Sequence, residues 1–341
     1  MRYFARAPLR LGLAGGGTDV DPYASKYIGN VLNTTINQYC YAIIRPLKEE
    51  KIIIESGQEG KKEIYKSSPL LEIKEFFQLE KAVYNHIIKN FNKSKPLNFH
   101  LITFADAPSG SGLGTSSTIT VAMIKAFSEW LGLALGEYEV ASIAFKIERL
   151  ELGWAGGKQD QYSASFGGFN FMEFEKNNKV LVNPLSLKED IQRLLELSLV
   201  LFYTGQSRKS KIIIEDQIKN VEMESQDSIS TLNLIKEDAI KMKESLLLGK
   251  LEEFSNILNT SWHRKKNLAK SVSNNSLDQI YENALKNGAK SGKITGAGGG
   301  GFFMFYVDPC SRIKLIDYLS KLKGNILKFQ FTNQGSISWH C

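Results

Sequence analysis

Cysteine is scarce in this chain: three residues in 341, at Cys40, Cys310 and Cys341. An odd, sparse set without a CxxC pair excludes a disulfide framework and a thiolate zinc site. It points instead to unpaired thiols in a reducing, cytoplasmic setting. Histidine is nearly as scarce. His86, His100, His263 and His340 are scattered, with no HExxH or HxxxH spacing, so nothing favours a transition-metal site. No apolar run approaches the ~18 residues of a membrane-spanning helix, and the first residues lack the apolar core of a secretion signal. Positive charge is in modest excess, +7, which suits small anionic ligands. Yet no basic block is longer than Arg264-Lys265-Lys266, and aromatics are not interleaved with basic residues, which argues against nucleic acid.

What the chain does have is alternating strand and helix patterns. Residues 31–47, 51–56, 97–105, 167–175, 197–203, 301–307 and 325–331 read as strands. Residues 70–91, 117–132 and 136–153 carry helical apolar spacing, and a lysine- and glutamate-rich stretch from about 208 to 290 reads as mostly helical. The character shifts after "NPLS" (183–186), which predicts two domains, 1–185 and 186–341. Irregular alternation without a strict strand–helix–strand rhythm favours an α+β fold over a doubly wound parallel sheet.

Glycine is concentrated in four segments: 7–19, 108–123, 147–162 and 293–305. In the second, Gly110, Gly112 and Gly114 lead through Ser111 and Leu113 into Thr115, Ser116 and Ser117, where a helix begins. Free backbone N–H groups at a helix start form an anion site, and hydroxyls there can reach a magnesium ion. A capped helix after a flexible turn explains one hydroxyl, not three. The Walker pattern GxxxxGK[ST] is absent. "GAGGGG" (296–301) matches the dinucleotide fingerprint, but a strand-like run follows it where a helix is required. Its unbroken Gly298, Gly299, Gly300 and Gly301 suggest clearance for a ligand or for another backbone. Glu148 and Asp160, in the third segment, suit a phosphoryl transferase, which needs oxygens for Mg²⁺ and an acid beside the attacking hydroxyl.

Taken together, "APLRLGLAGGGTD" (7–19), "PSGSGLGTSSTITVA" (108–122) and "KITGAGGGGFF" (293–303) resemble the three motifs of the GHMP kinase superfamily, in order and at its spacing. The resemblance implies an N-terminal mixed-sheet domain, a C-terminal ferredoxin-like domain, and ATP between them. It implies that residues 110–117 wrap the ATP phosphates, that Ser116 and Glu148 coordinate Mg²⁺, that Asp160 is the base, and that Arg10 lowers the pKa of the acceptor hydroxyl. Galactokinases carry side chains where this chain has Gly15, Gly16 and Gly17, which implies room for a larger acceptor. Retention of Thr18 and Asp19 favours a sugar 1-kinase.

The variant "GGGTD", with "YTGQSRKS" (203–210), looks most like the subgroup that phosphorylates the anomeric hydroxyl of D-glycero-D-manno-heptose 7-phosphate for GDP-heptose and surface polysaccharide. An acceptor with its own phosphate needs cations, and Lys158, Arg208, Lys209 and the trio Arg264, Lys265, Lys266 are the candidates. Gly298, Gly299 and Gly300 are expected beside the acceptor. Two other readings stay open: a 1-kinase for an unphosphorylated sugar of the fucose or N-acetylhexosamine type, and a catalytically dead sensor of ATP and sugar. Expected partners are ATP and a small sugar phosphate, with no nucleic acid and no membrane, on a monomer or homodimer.

Overall fold

The structure, a computed structural model, describes residues 1–58, 60–206 and 210–341, without the side chains of Ser210, Lys211 and Lys270. Its first sheet is built from β1 (Tyr3–Ala14), β2 (Gly29–Pro46), β3 (Lys51–Ser56), β4 (Lys61–Lys66), β5 (Phe99–Ala105), β6 (Asn170–Phe174) and β7 (Val180–Pro184). Its second contains β8 (Leu199–Tyr203), β9 (Ala289–Ile294), β10 (Phe302–Val307) and β11 (Asn325–Leu327). The last strand, β12 (Ile337–His340), returns to the first sheet and pairs antiparallel with β1, Tyr3 opposite His340. A cut at 185 therefore separates the two sheets except for this strand.

The first sheet runs β12-β1-β2-β5-β3-β4, with β6 and β7 continuing from the other half of β2. It is mixed, because β3 pairs parallel with β5 while the remaining pairs are antiparallel. The second sheet is antiparallel in the order β11-β8-β10-β9. Helices pack on both, which makes the fold α+β. They are α1 (Tyr23–Tyr27), α2 (Gln78–Phe91), α3 (Thr115–Leu131), α4 (Glu137–Phe145), α5 (Gln159–Phe166), α6 (Glu189–Ser198), α7 (Ser210–Glu222), α8 (Gln226–Leu247), α9 (Leu251–Leu268), α10 (Asn275–Lys286) and α11 (Arg312–Leu319). Among the described residues, no helix is long and apolar enough to cross a membrane.

Several elements differ from the sequence expectation, each for a physical reason. β1 reads poorly in sequence because its central run is buried on both faces and lacks a period-2 pattern, and its register with β2 shifts between Pro8 and Leu9. Helix was expected from residue 70, but α2 starts at Gln78. The side-chain amide of Asn85 holds the preceding segment instead, accepting from Leu71 N–H and donating to Leu71 C=O, both at 2.8 Å. The helix expected over 136–153 changes at Lys146 into one π turn, Lys146–Glu151, with the Leu152 N–H bonded to the Ile147 carbonyl five residues back. The strand expected over 325–331 stops at Leu327, and Phe331 crosses to bridge Ile36 of the first sheet.

Candidate active site

A cleft of roughly 380 Å³ opens where β1, α3, α5, α7, α9 and the turn after β9 meet. That is within the usual size of a small-molecule site. Its floor is the loop that feeds α3. Gly110, Gly112 and Gly114 all have left-handed backbones, φ 71°, 80° and 79°, and Gly114 stands at the N-terminus of the 17-residue α3. Alternating left-handed glycines turn successive N–H groups outward, and the helix end adds its own free donors. Ser111, Thr115, Ser116 and Ser117 line the cleft with these glycines, whereas Leu113 is buried in the core and only its carbonyl serves, accepting the Arg10 N–H at 3.1 Å.

Two carboxylates face this loop. Glu148 sits in the π turn, the kind of helix defect that re-aims a functional side chain. Its Oε2 accepts from Ser117 Oγ (2.7 Å) and Gln161 Nε2 (2.9 Å) and lies 3.1 Å from the Arg149 guanidinium. Its Oε1 is buried with no protein partner. Burial raises its pKa above the ordinary 4.5, although Arg149 opposes the rise. A buried carboxylate with one orphaned oxygen, beside an anion-binding loop, fits a hard cation held jointly by protein oxygens and substrate phosphates. Ser116 lies on the rim and its hydroxyl has no protein partner among the described residues, whereas Ser117 is the hydroxyl that orients Glu148.

Asp160 opens α5 and lies over the α3 N-terminus, so close that a Cβ on Gly114 would stand 3.2 Å from its carboxylate. The Arg10 guanidinium clamps its Oδ1 from Nε and Nη2, each at 2.8 Å, while Nη1 donates to the Gly112 carbonyl at 2.5 Å. Gln159 Nε2 adds a bond of 3.1 Å. Burial pushes the Asp160 pKa up, but Arg10 and Gln159 more than offset this and hold it below the ordinary 3.8. A quarter of its side chain faces the cleft.

Asp19 completes this end. It accepts the N–H groups of Gly17 (3.1 Å) and Gln159 (3.0 Å), and burial raises its pKa. Gly16 and Gly17 line the cleft beside it. A Cβ on Gly16 would meet nothing within 4 Å, so of the three glycines expected to leave room this one stands beside open space. Gly17 is covered by Gln217 of α7, whose Nε2 donates to the Gly17 carbonyl at 2.8 Å.

Other expected residues have structural work instead. Gly15 turns with φ 81° against the backbone of Asn30, where any Cβ would collide. The buried Thr18 hydroxyl lies between the carbonyls of Gly15 (2.8 Å) and Asn30 (3.0 Å) and accepts the Asn30 N–H. Lys158 is paired with Asp21 at 3.2 Å and lies over the Phe145 ring, away from the cleft lining. Gly298 and Gly300 give clearance to protein, since a Cβ there would press on Val272 and on the Gln206 backbone. The Gly299 N–H is taken by the Val272 carbonyl at 2.7 Å. It is Gly296 and Ala297 of this loop that reach the cleft. Arg208 and Lys209 lie outside the described residues.

Sequence reasoning passed over Arg149, Gln159, Gln217 and Lys293, all in the cleft lining. Only the glycine loops beside Arg149, Gln159 and Lys293 could have flagged them; nothing local marks Gln217.

Comparison with known proteins shows the family. The GHMP kinases N terminal domain family matches residues 78–168, and the GHMP kinases C terminal family matches 242–322. The chain is 48% identical over 334 residues to a D-glycero-alpha-D-manno-heptose 7-phosphate kinase of Campylobacter jejuni, covering 98% of both. It is 27% identical to an L-fucokinase/L-fucose-1-P guanylyltransferase of Bacteroides fragilis, over 94% of this chain and 36% of that one. The crystal structure of a D-glycero-D-manno-heptose 1-phosphate kinase from Bacteriodes thetaiotaomicron superposes with a TM-score of 0.85 at 41% identity, covering 99% of each chain. With both family matches and 48% identity over nearly the whole chain, the chain belongs to the GHMP kinase family.

Proposed function

We propose that this kinase transfers the γ-phosphoryl group of ATP to the anomeric hydroxyl of D-glycero-D-manno-heptose 7-phosphate, giving the 1,7-bisphosphate on the way to GDP-heptose. The observation that carries it is the Arg10–Asp160 pair standing over the glycine loop, with Asp19 and an open Gly16 beside it. The loop 110–117 supplies backbone donors for the ATP phosphates. Ser116 and the free Oε1 of Glu148 would hold Mg²⁺, which when bound neutralises charge on those phosphates.

Asp160 accepts a hydrogen bond from the acceptor hydroxyl and aims its oxygen at phosphorus. As the new O–P bond forms and the bond to ADP breaks, the hydroxyl proton passes to Asp160. A carboxylate held below the ordinary pKa is a weak base, so the proton moves late, as a loose phosphoryl-transfer transition state allows. Arg10 keeps Asp160 ionised and contributes positive charge where the oxyanion develops. Asp19, with each oxygen already fixed by one backbone N–H, retains lone pairs for sugar hydroxyls. Three unpaired cysteines suit the reducing cytoplasm in which ATP is plentiful.

The test is ADP release over a panel of sugars and sugar 6- and 7-phosphates, with the position of the new phosphate read by phosphorus NMR. Turnover of heptose 7-phosphate with a new anomeric phosphate is expected. Turnover of fucose or free hexoses, with none on heptose 7-phosphate, would replace this reading with the unphosphorylated-sugar one.

A further inference from the structure

Two lysines in the cleft have no part in the chemistry described so far. Lys265, on α9, is 8% exposed and Lys293, on β9, is 4% exposed, and both line the cleft. Each gives one N–H to a backbone carbonyl: Lys265 to Gly296, and Lys293 to Leu13 at 3.1 Å. Among the described residues neither forms a salt bridge. Their neighbours in sequence show the contrast. Arg264 is clamped to Asp238, and Lys266 to Asp278 at 3.1 Å. In that basic trio, only the middle residue is turned to the cleft and left without a carboxylate.

A buried ammonium without a counter-ion is strongly unfavourable, and two that repel each other are more so. Burial lowers the pKa of Lys265 well below its ordinary value, the charges of Lys293 and Arg10 lower it further, and the Asp19 carboxylate opposes them. Lys293 feels Arg10 and Asp238, and burial lowers it to about 8. Of these groups Arg10 and Asp19 line the cleft beside Asp160, and the Glu148–Arg149 pair does not figure among them. Two cations match the charge of a phosphate monoester, close to −2 at neutral pH, and an ammonium tolerates the varied directions of phosphate oxygens.

We infer that Lys265 and Lys293 form the seat for the acceptor's own phosphate, in the part of the cleft between the Gly296 turn and the end of β1. The inference rests on the phosphorylated-acceptor reading above and names the residues that enforce it. The seat replaces Lys158, Arg264 and Lys266, whose charges are satisfied within the protein.

Two measurements test the seat. In the first, inorganic phosphate is titrated calorimetrically into the full chain saturated with Mg²⁺ and a non-hydrolysable ATP analogue, so that the nucleotide loop is filled. Wild type binds; Lys265→Met and Lys293→Met each weaken binding at least ~10-fold, and Lys265→Arg restores it to within ~3-fold. No binding by wild type, or unchanged binding by both Met variants, overturns the seat whatever the sugar.

The second compares kcat/KM for heptose 7-phosphate and for the free heptose. The Met variants lose at least ~30-fold on the phosphorylated sugar and less than ~3-fold on the free one. Equal losses on both overturn the seat, because they mean that the lysines serve folding or the transferred group. Lysine-dependent phosphate binding without turnover of heptose 7-phosphate upholds the seat and removes the heptose reading.

Discussion

Glu148 and Asp160 face one cleft from neighbouring elements, yet their surroundings drive them in opposite directions. Burial raises Glu148, and one of its oxygens has no partner. Asp160 is held below the ordinary carboxylate value by a guanidinium that grips it at 2.8 Å from two nitrogens. The protein completes the electrostatics of one acid and leaves the other incomplete. That difference supports the proposed roles: an acid whose charge is clamped by a guanidinium is oriented for proton and hydroxyl work, and an acid with one buried oxygen left without a partner has a position for a cation. The glycine loop between them belongs to both, since Arg10 also ties the Gly112 carbonyl to Asp160.

The largest effect is expected at the completed acid. Asp160→Asn keeps the shape and a hydrogen bond to Arg10 but removes the negative charge and the proton acceptor. Turnover should fall by ~10³-fold, or about 4 kcal/mol in the barrier, with affinity for an ATP analogue within about twofold. Steady-state kinetics and analogue titration read both quantities. A variant that retains full turnover would show that Arg10 and the loop suffice, and the two acids would no longer differ in kind.

At the incomplete acid, Glu148→Gln should lower kcat/KM for ATP by ~10²-fold and flatten its dependence on Mg²⁺ concentration. A pH signature separates this from a simple packing loss. Glu148 has a folded pKa raised above 4.5, so the folded state binds the proton more tightly than the unfolded one. The metal-free protein should therefore lose stability as pH rises from about 4.5 through the raised value, and Mg²⁺ with nucleotide should recover it above that window. Thermal melts with and without Mg²⁺ and the analogue should show this gain in wild type and not in Glu148→Gln. An equal gain in the variant would place the metal elsewhere.

How much of this is legible in sequence depends on whether a residue's partners are local. Gly110, Gly112 and Gly114 stand next to the hydroxyls and the helix start that give them meaning, so the anion loop is visible as text. Gly298 and Gly300 have the same composition and look like a ligand loop, but the atoms they clear are at Val272 and Gln206, which only the fold brings near. Likewise Lys265 cannot be told from Arg264 and Lys266 until Asp238 and Asp278 are seen to claim its neighbours. The π turn under Glu148 has no composition cue, and β1 hides because both its faces are buried. Asp160 itself is readable as a candidate, but its clamp is not: Arg10 lies on β1, 150 residues away in sequence, and only the packing of α5 on that strand brings the two together.

The smallest effect is expected at the loop that lacks side chains. Gly16 has open space where a Cβ would stand, its backbone is not left-handed, and it lines the cleft near Asp19. Gly16→Glu should therefore fold, with a melting temperature within ~2 °C of wild type, since a half-buried site with open space and no backbone strain tolerates substitution. The new carboxylate would enter the acceptor end, fill part of the space, and repel an anionic sugar. Preference for a phosphorylated over a free sugar, measured as the ratio of kcat/KM values, should fall by ~10-fold, with KM for ATP unchanged. An unchanged ratio would mean that the glycines only turn the chain. A loss of ATP affinity would mean that the loop belongs to the nucleotide end, and the division of the cleft between Glu148 and Asp160 would have to be redrawn.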